Sequence, residues 1–283
     1  MTAIDYEAEY NNRRRVPDNE AISAPFIAAS ADWRAKSDML ADQSYGPGDR
    51  HRFDLFRAQR PGSGAGTRSG PAPLVVYIHG GYWQRGDRKA VSFAARELNA
   101  RGIDVACPSY SLAPAVPVSA IVDELRQCLR VLHERTKAHP VVVGHSAGGH
   151  LAAAMLATDW SAVSGVPKDL VRSAYAFSGV FDPAPLITTS LNEALRLDAA
   201  SARAIDLIHG RAPPSSATMV AAVGAEESPE FIRQSLALAE AWSRADVKAE
   251  CVLVPNANHF SIVGEMARPE SAVLARIVSL ANA

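Results

Sequence analysis

The chain has 283 residues, 48% hydrophobic and 21% charged, enough to bury a large core within a single domain spanning residues 1–283. A formal net charge of -1 leaves no basic surface for nucleic acid or anionic lipid. The polar segment Met1 to Arg15 lacks the apolar core of a signal peptide, and no later run is long enough to cross a bilayer, so a cytoplasmic protein is expected.

Residues 1–49 read as a polar, helical N-terminal arm. From Arg50 to Arg57 charged residues alternate with Phe53, Leu55 and Phe56, the period-two signal of a half-exposed edge strand. Pro61 to Pro73 is rich in Gly, Ser and Pro and reads as a mobile loop. Short β-branched runs then alternate with amphipathic segments. Strands are expected at Leu74 to Ile78, Ile103 to Cys107, Val141 to Val143 and Ser173 to Phe177, with helices at Lys89 to Ala100, Val118 to Arg135 and Ala147 to Thr158. Such runs suit strands buried on both faces of a mostly parallel sheet flanked by helices, an α/β architecture. Between Asp182 and Pro214, Leu186, Leu191, Leu195, Leu197, Ile205 and Ile208 recur at helical spacing without a strand, which predicts a small helical cap. The alternation resumes with a strand at Met219 to Val223, a helix at Pro229 to Arg244, a strand at Glu250 to Val254 and a closing helix from Ser261 to Leu280. Cys107, Cys128 and Cys251 are too scattered for a disulfide framework or a zinc site, and no metal or cofactor is called for.

The sequence Val141-Val142-Val143-Gly144-His145-Ser146-Ala147-Gly148 is a strand running into a small-residue turn and an Ala-rich helix. That is the context of a nucleophile elbow, which lifts a serine hydroxyl above the sheet edge and places the next N–H, that of Ala147, where a substrate oxygen would lie. Ser146 is therefore the candidate nucleophile of an α/β-hydrolase fold. His79-Gly80-Gly81-Tyr82-Trp83 follows directly on a strand, and its glycines let backbone N–H groups turn inward, those of Gly81 and Tyr82 completing the oxyanion hole.

A serine hydroxyl needs a base. His259, between the last strand and the last helix, occupies the position required by the chain order Ser, acid, His. The acid should follow the strand Met219 to Val223, where Glu227 is favoured and Glu226 is the alternative, with Asp246 and Asp182 more distant candidates. Tyr82, Trp83, His145 and Phe260 are the expected lining of the substrate pocket.

Together the His79-to-Trp83 loop, the elbow Gly144 to His150, and Glu227-Ser228-Pro229-Glu230-Phe231 with Arg233-Gln234-Ser235 resemble the kynurenine formamidase (arylformamidase) family and, more broadly, the hormone-sensitive-lipase-like esterases. Tyr10-Asn11-Asn12-Arg13, Tyr110-Ser111-Leu112-Ala113-Pro114 and Ser178-Gly179-Val180-Phe181-Asp182 extend the likeness over nearly the whole chain. The resemblance implies a triad of Ser146, His259 and Glu227, although those formamidases usually carry Asp where this chain has Glu227. It implies cleavage of a small N-formyl arylamine or aryl amide through an acyl-enzyme. The alternatives are a carboxylesterase for short acyl esters and an inactive fold serving as a binding module. A small-molecule ester or amide is the expected partner, and a homodimer is left open.

Overall fold

A computed structural model describes residues 4–58 and 71–283. Most of the Gly, Ser and Pro-rich stretch expected to form a mobile loop, from 61 to 70, lies outside the described residues.

In chain order the elements are α1 (Tyr6–Tyr10), α2 (Asn12–Arg15), α3 (Asn19–Lys36), β1 (Met39–Ser44), β2 (Arg52–Phe56), β3 (Leu74–Ile78), α4 (Ala94–Asn99), β4 (Asp104–Pro108), α5 (Val118–Thr136), β5 (Val141–His145), α6 (Ala147–Leu156) and β6 (Ser173–Phe177). After these come α7 (Asn192–Leu195), α8 (Ala199–Ala204), β7 (Thr218–Gly224), α9 (Pro229–Ser243), β8 (Lys248–Val254) and α10 (Ala272–Ala281). The strands form one eight-stranded sheet in the order β1-β2-β4-β3-β5-β6-β7-β8. β1 and β2 are antiparallel to their neighbours, and all later pairings are parallel.

Burial explains the composition of the strands. Every residue of β3 and β6 is buried, so both faces are apolar and no alternation shows. One face packs against α5, α6 and α9 and the other against α4 and α10. α5 turns Ile121, Leu125, Cys128, Leu129 and Leu132 into the core at helical spacing. α6 is buried along its whole length, which only an Ala- and Gly-rich helix can achieve so close to two strands.

Three expectations need correcting. β2 is not an edge strand: β1, inside the arm expected to be helical, lies outside it. The charge on Asp54 that suggested a solvent face is fully buried and paired with Arg34 at 2.5 Å and Arg88 at 3.1 Å. The closing helix is split into a 3₁₀ turn (Ile262–Ala267) and α10, with Pro269 between them. The helix expected from Lys89 is likewise split into a 3₁₀ turn (Arg88–Val91) and α4.

Between Asp182 and Pro214 a 3₁₀ turn (Ala184–Thr188), α7 and α8 occur without a strand, and Leu186, Leu195, Leu197 and Ile205 are buried. Parallel strands end on one edge of the sheet, so the loops after β3, β5, β6, β7 and β8 gather there, where ligand sites of open α/β sheets form. Among the described residues no helix is long and apolar enough to cross a membrane.

Candidate active site

At the end of β5 the chain turns through Ser146 with φ 56° and ψ -119° before α6 begins at Ala147. A non-glycine residue in this region is strained by roughly 1–3 kcal/mol, and such strain persists only where the surroundings hold it. Here the Ser146 N–H donates to the Phe177 carbonyl at 2.8 Å, and its carbonyl accepts from the His150 N–H at 3.1 Å. Gly148 makes the turn possible: a Cβ there would lie 2.1 Å from the Ile78 carbonyl oxygen.

The loop after β3 is equally constrained. Gly81, Tyr82 and Trp83 all have positive φ, at 115°, 49° and 56°. A Cβ on Gly81 would sit 2.3 Å from the Arg85 carbonyl oxygen, and the Gly81 carbonyl accepts from the N–H groups of Gln84 and Arg85 at 3.0 and 3.1 Å. Among the described residues, the N–H groups of Gly81, Tyr82 and Ala147 meet no backbone acceptor, which leaves them available to a ligand. His79 is buried beneath this loop, where its ring stacks on Tyr110 at 4.3 Å and the Tyr110 hydroxyl donates to its carbonyl at 2.9 Å. Burial pushes the His79 pKa down to about 4.

His259 is buried, with Nδ1 2.7 Å from Glu227 Oε2. The other oxygen of Glu227 accepts from the Gly224 N–H at 2.8 Å and from the Ser178 hydroxyl. Glu226 is exposed, as is Asp246, and Asp182 pairs with Arg233 at 3.4 Å. Of the four carboxylates considered, Glu227 is therefore the one at His259. His145 donates from Nε2 to the His259 carbonyl at 2.8 Å, which steadies the loop carrying the imidazole. Desolvation, reinforced by the adjacent His259, pushes the His145 pKa down to about 3, so the ring is neutral at ordinary pH.

Ser146 and His259 line one cavity of about 250 Å³, together with Gly81, Tyr82, His145 and Phe260. Trp83, expected in the pocket, is instead fully buried and edge-on to His150 at 5.1 Å. Its indole packs into the core with His150 of α6. A larger cavity, about 380 Å³ and bordered by Asp123, Arg126, His150 and Asp206, includes neither Ser146 nor His259.

Sequence reasoning missed part of the wall. Tyr10, Asn11, Asn12 and Arg13 of the arm line the cavity, as do Arg85 after the β3 loop and Ser190 and Leu191 from the segment before α7. The Tyr82 hydroxyl donates to the Tyr10 carbonyl at 2.6 Å and accepts from the Asn12 amide at 3.4 Å. The Tyr10 hydroxyl in turn donates to Glu230 at 3.1 Å on α9. Backbone and side-chain groups thus fasten the arm to the loop after β3 and to α9.

Residues 75–262 match a family model described as the alpha/beta hydrolase fold. A kynurenine formamidase of Danio rerio is 30% identical over 278 residues, covering 94% of this chain and 92% of that protein. This chain belongs to the α/β-hydrolase family that includes the kynurenine formamidases. Its Drosophila melanogaster relative of the same name is 27% identical and spans 81% of this chain and 77% of that protein. Among solved structures, a protein from a Silicibacter species, provisionally named a thioesterase, superposes with a TM-score of 0.85 at 31% identity over 97% of this chain and 99% of that one. A phosphonate-inhibited esterase B from Lactobacillus rhamnosis shares the fold, with a TM-score of 0.69 at 21% identity over 96% of this chain and 97% of that one. The protein is a hydrolase of ester or amide bonds.

Proposed function

We propose that this hydrolase cleaves a small N-formyl arylamine or related aryl amide through an acyl-enzyme on Ser146, with His259 as base and Glu227 as the acid that orients it. The observation that carries this reading is the buried His259–Glu227 contact of 2.7 Å beside a strained Ser146 in the same cavity. With Nδ1 committed to Glu227, Nε2 of His259 is the atom left to take the Ser146 proton. The serine oxygen then bonds to the carbonyl carbon, and the carbonyl oxygen gains negative charge. In this reading the N–H groups of Ala147, Gly81 and Tyr82 receive that charge, each such donor typically contributing about 3 kcal/mol to the transition state. Collapse expels the amine, which takes the proton held by His259. A water molecule, deprotonated by the same imidazole, then releases the acid and restores Ser146.

The formamide reading is favoured over a simple ester because the Danio rerio formamidase aligns over 94% of this chain, whereas an isoprenylcysteine methylesterase relative from Oryza sativa aligns over 42%. Ester hydrolysis uses the same machinery and is the second reading. The test is kcat/KM for N-formylkynurenine beside p-nitrophenyl acetate and butyrate. A strong preference for the formamide supports the proposal, and a strong preference for the esters replaces it with a carboxylesterase. Absence of fluorophosphonate labelling would leave a binding module instead.

A further inference from the structure

The cavity at Ser146 has a charge that the proposed chemistry does not use. Arg13 and Arg85 both contribute to its wall, one from the N-terminal arm and one from the turn that follows the oxyanion loop. Neither has a carboxylate within ion-pair distance among the described residues, although ion pairs are frequent elsewhere on this surface. The nearby acidic groups are already engaged. Glu7 accepts from the Ser190 N–H at 2.8 Å, the Ser190 hydroxyl at 2.9 Å and the Asn11 amide at 3.1 Å. Glu227 lies behind His259, bound on both oxygens. Arg85 is exposed, and its partial burial, followed by the charge of Arg13, lowers its pKa.

The backbone of Arg85 and the side chain of Asn12, next to Arg13, are bonded to the same loop. The Arg85 N–H donates to the Gly81 carbonyl at 3.1 Å, and only a glycine at 81 leaves room for the Arg85 carbonyl. Arg13 follows Asn12, whose amide donates to the Tyr82 hydroxyl at 3.4 Å, and the Arg13 carbonyl accepts from the Asn19 amide at 3.4 Å. Two guanidinium groups without a carboxylate partner among the described residues, both on exposed side chains in the wall of the cavity that also holds Ser146 and His259, form a polar address for a substrate.

From this placement we infer that Arg13 and Arg85 are specificity-determining residues, selecting substrates that carry a carboxylate away from the scissile carbonyl over uncharged substrates of the same shape. The inference rests on the catalytic reading above. It gives the N-terminal arm a role in substrate choice, because one of the two cations is supplied by that arm. A carboxylate suits the site because each guanidinium offers a planar fork of donors, and the cavity, about 250 Å³, favours a small substrate.

The test compares 4-acetoxybenzoate with 4-acetoxybenzamide, which share a shape and an acetyl ester but differ in charge. For the wild-type protein kcat/KM is expected to favour the carboxylate by about 10-fold or more, a preference that shrinks as salt is raised. Arg85→Gln and Arg13→Gln should each lower that ratio several-fold and the double variant should bring it near one, while Arg85→Lys retains part of it. Calorimetric binding of the two compounds to Ser146→Ala supplies a readout that needs no turnover. Selective binding of the benzoate, lost when both arginines are replaced, supports the inference. A ratio and a binding preference that survive in the double variant overturn it. Protein that binds the benzoate selectively but resists fluorophosphonate overturns the catalytic reading alone, and labelled protein without a charge preference overturns the arginine assignment alone.

Discussion

Glu227 meets His259 through Oε2 at 2.7 Å from Nδ1, while its other oxygen is tied to the Gly224 N–H at 2.8 Å. A carboxylate fixed at both ends sets the orientation of the ring and stabilises an imidazolium. Replacing Glu227 by Gln keeps the shape but can present an N–H to Nδ1 and favour the wrong tautomer. We expect kcat to fall by about 10³–10⁴-fold in Glu227→Gln, whereas Glu226→Gln, which alters an exposed side chain, should stay within about two-fold. Steady-state kinetics on both variants decide the matter, and the reverse order would move the acid to Glu226.

Ser146 gives a second prediction. Ser146→Ala removes the hydroxyl and leaves the turn, whose backbone bonds run through the N–H and carbonyl of residue 146. Labelling by a fluorophosphonate should vanish and turnover should fall by about 10³-fold or more, with the thermal midpoint within a few degrees of wild type. Labelling that persists in this variant would place the nucleophile on another residue.

Much of this arrangement was legible because it is local. Val141-Val142-Val143, Gly144, Ser146, Gly148 and the alanines of α6 are adjacent in sequence, so the strand, the turn and the helix each leave a composition signal. The sequence favours Glu227 over Glu226, with Asp246 and Asp182 as more distant candidates, and adjacent carboxylates are told apart by burial: Glu227 is buried and Glu226 exposed. What did not show was non-local. Asp54 suggested solvent because its partners, Arg34 and Arg88, come from distant segments. β1 mixes Met, Leu, Ala, Asp, Gln and Ser with only partial burial and so lacks a period-two pattern. Tyr10 reaches the cavity through its own carbonyl, bonded to Tyr82 72 residues away, and a backbone contact leaves no mark in the sequence.

Burial of two imidazoles predicts acid sensitivity. His79 and His150 are almost completely buried, and burial pushes the pKa of each down to about 4. In the unfolded chain both take a proton below about pH 6.5, while the folded chain resists it. Their contribution is therefore complete above about pH 6.5 and is lost as the pH falls towards 4. At about pH 5 the loss is on the order of 2 kcal/mol for each ring. The thermal midpoint should drop by several degrees between pH 7 and pH 5, and His150→Gln should flatten that slope. A midpoint independent of pH over this range would mean that these rings are not held neutral.

The last prediction concerns the contact between the turn at Ser146 and the loop after β3. A Cβ at residue 148 would lie 2.1 Å from the Ile78 carbonyl oxygen and 2.6 Å from that of His79. Both are backbone atoms at the end of β3, where no side chain can rotate out of the way. Gly148→Ala therefore forces α6 away from β3 and shifts Ser146 relative to the N–H groups of Gly81 and Tyr82. Overpacking of this kind costs about 1–3 kcal/mol, and misplacement of reacting groups by about 1 Å can cost about 10²-fold in rate. The variant is expected to lose activity by about that factor while its thermal midpoint falls by several degrees. Because α6 bears on both Ser146 and the loop after β3, the loss should appear mainly in kcat. A Gly148→Ala protein with wild-type kcat and midpoint would show that α6 does not set the distance between Ser146 and the N–H groups of Gly81 and Tyr82.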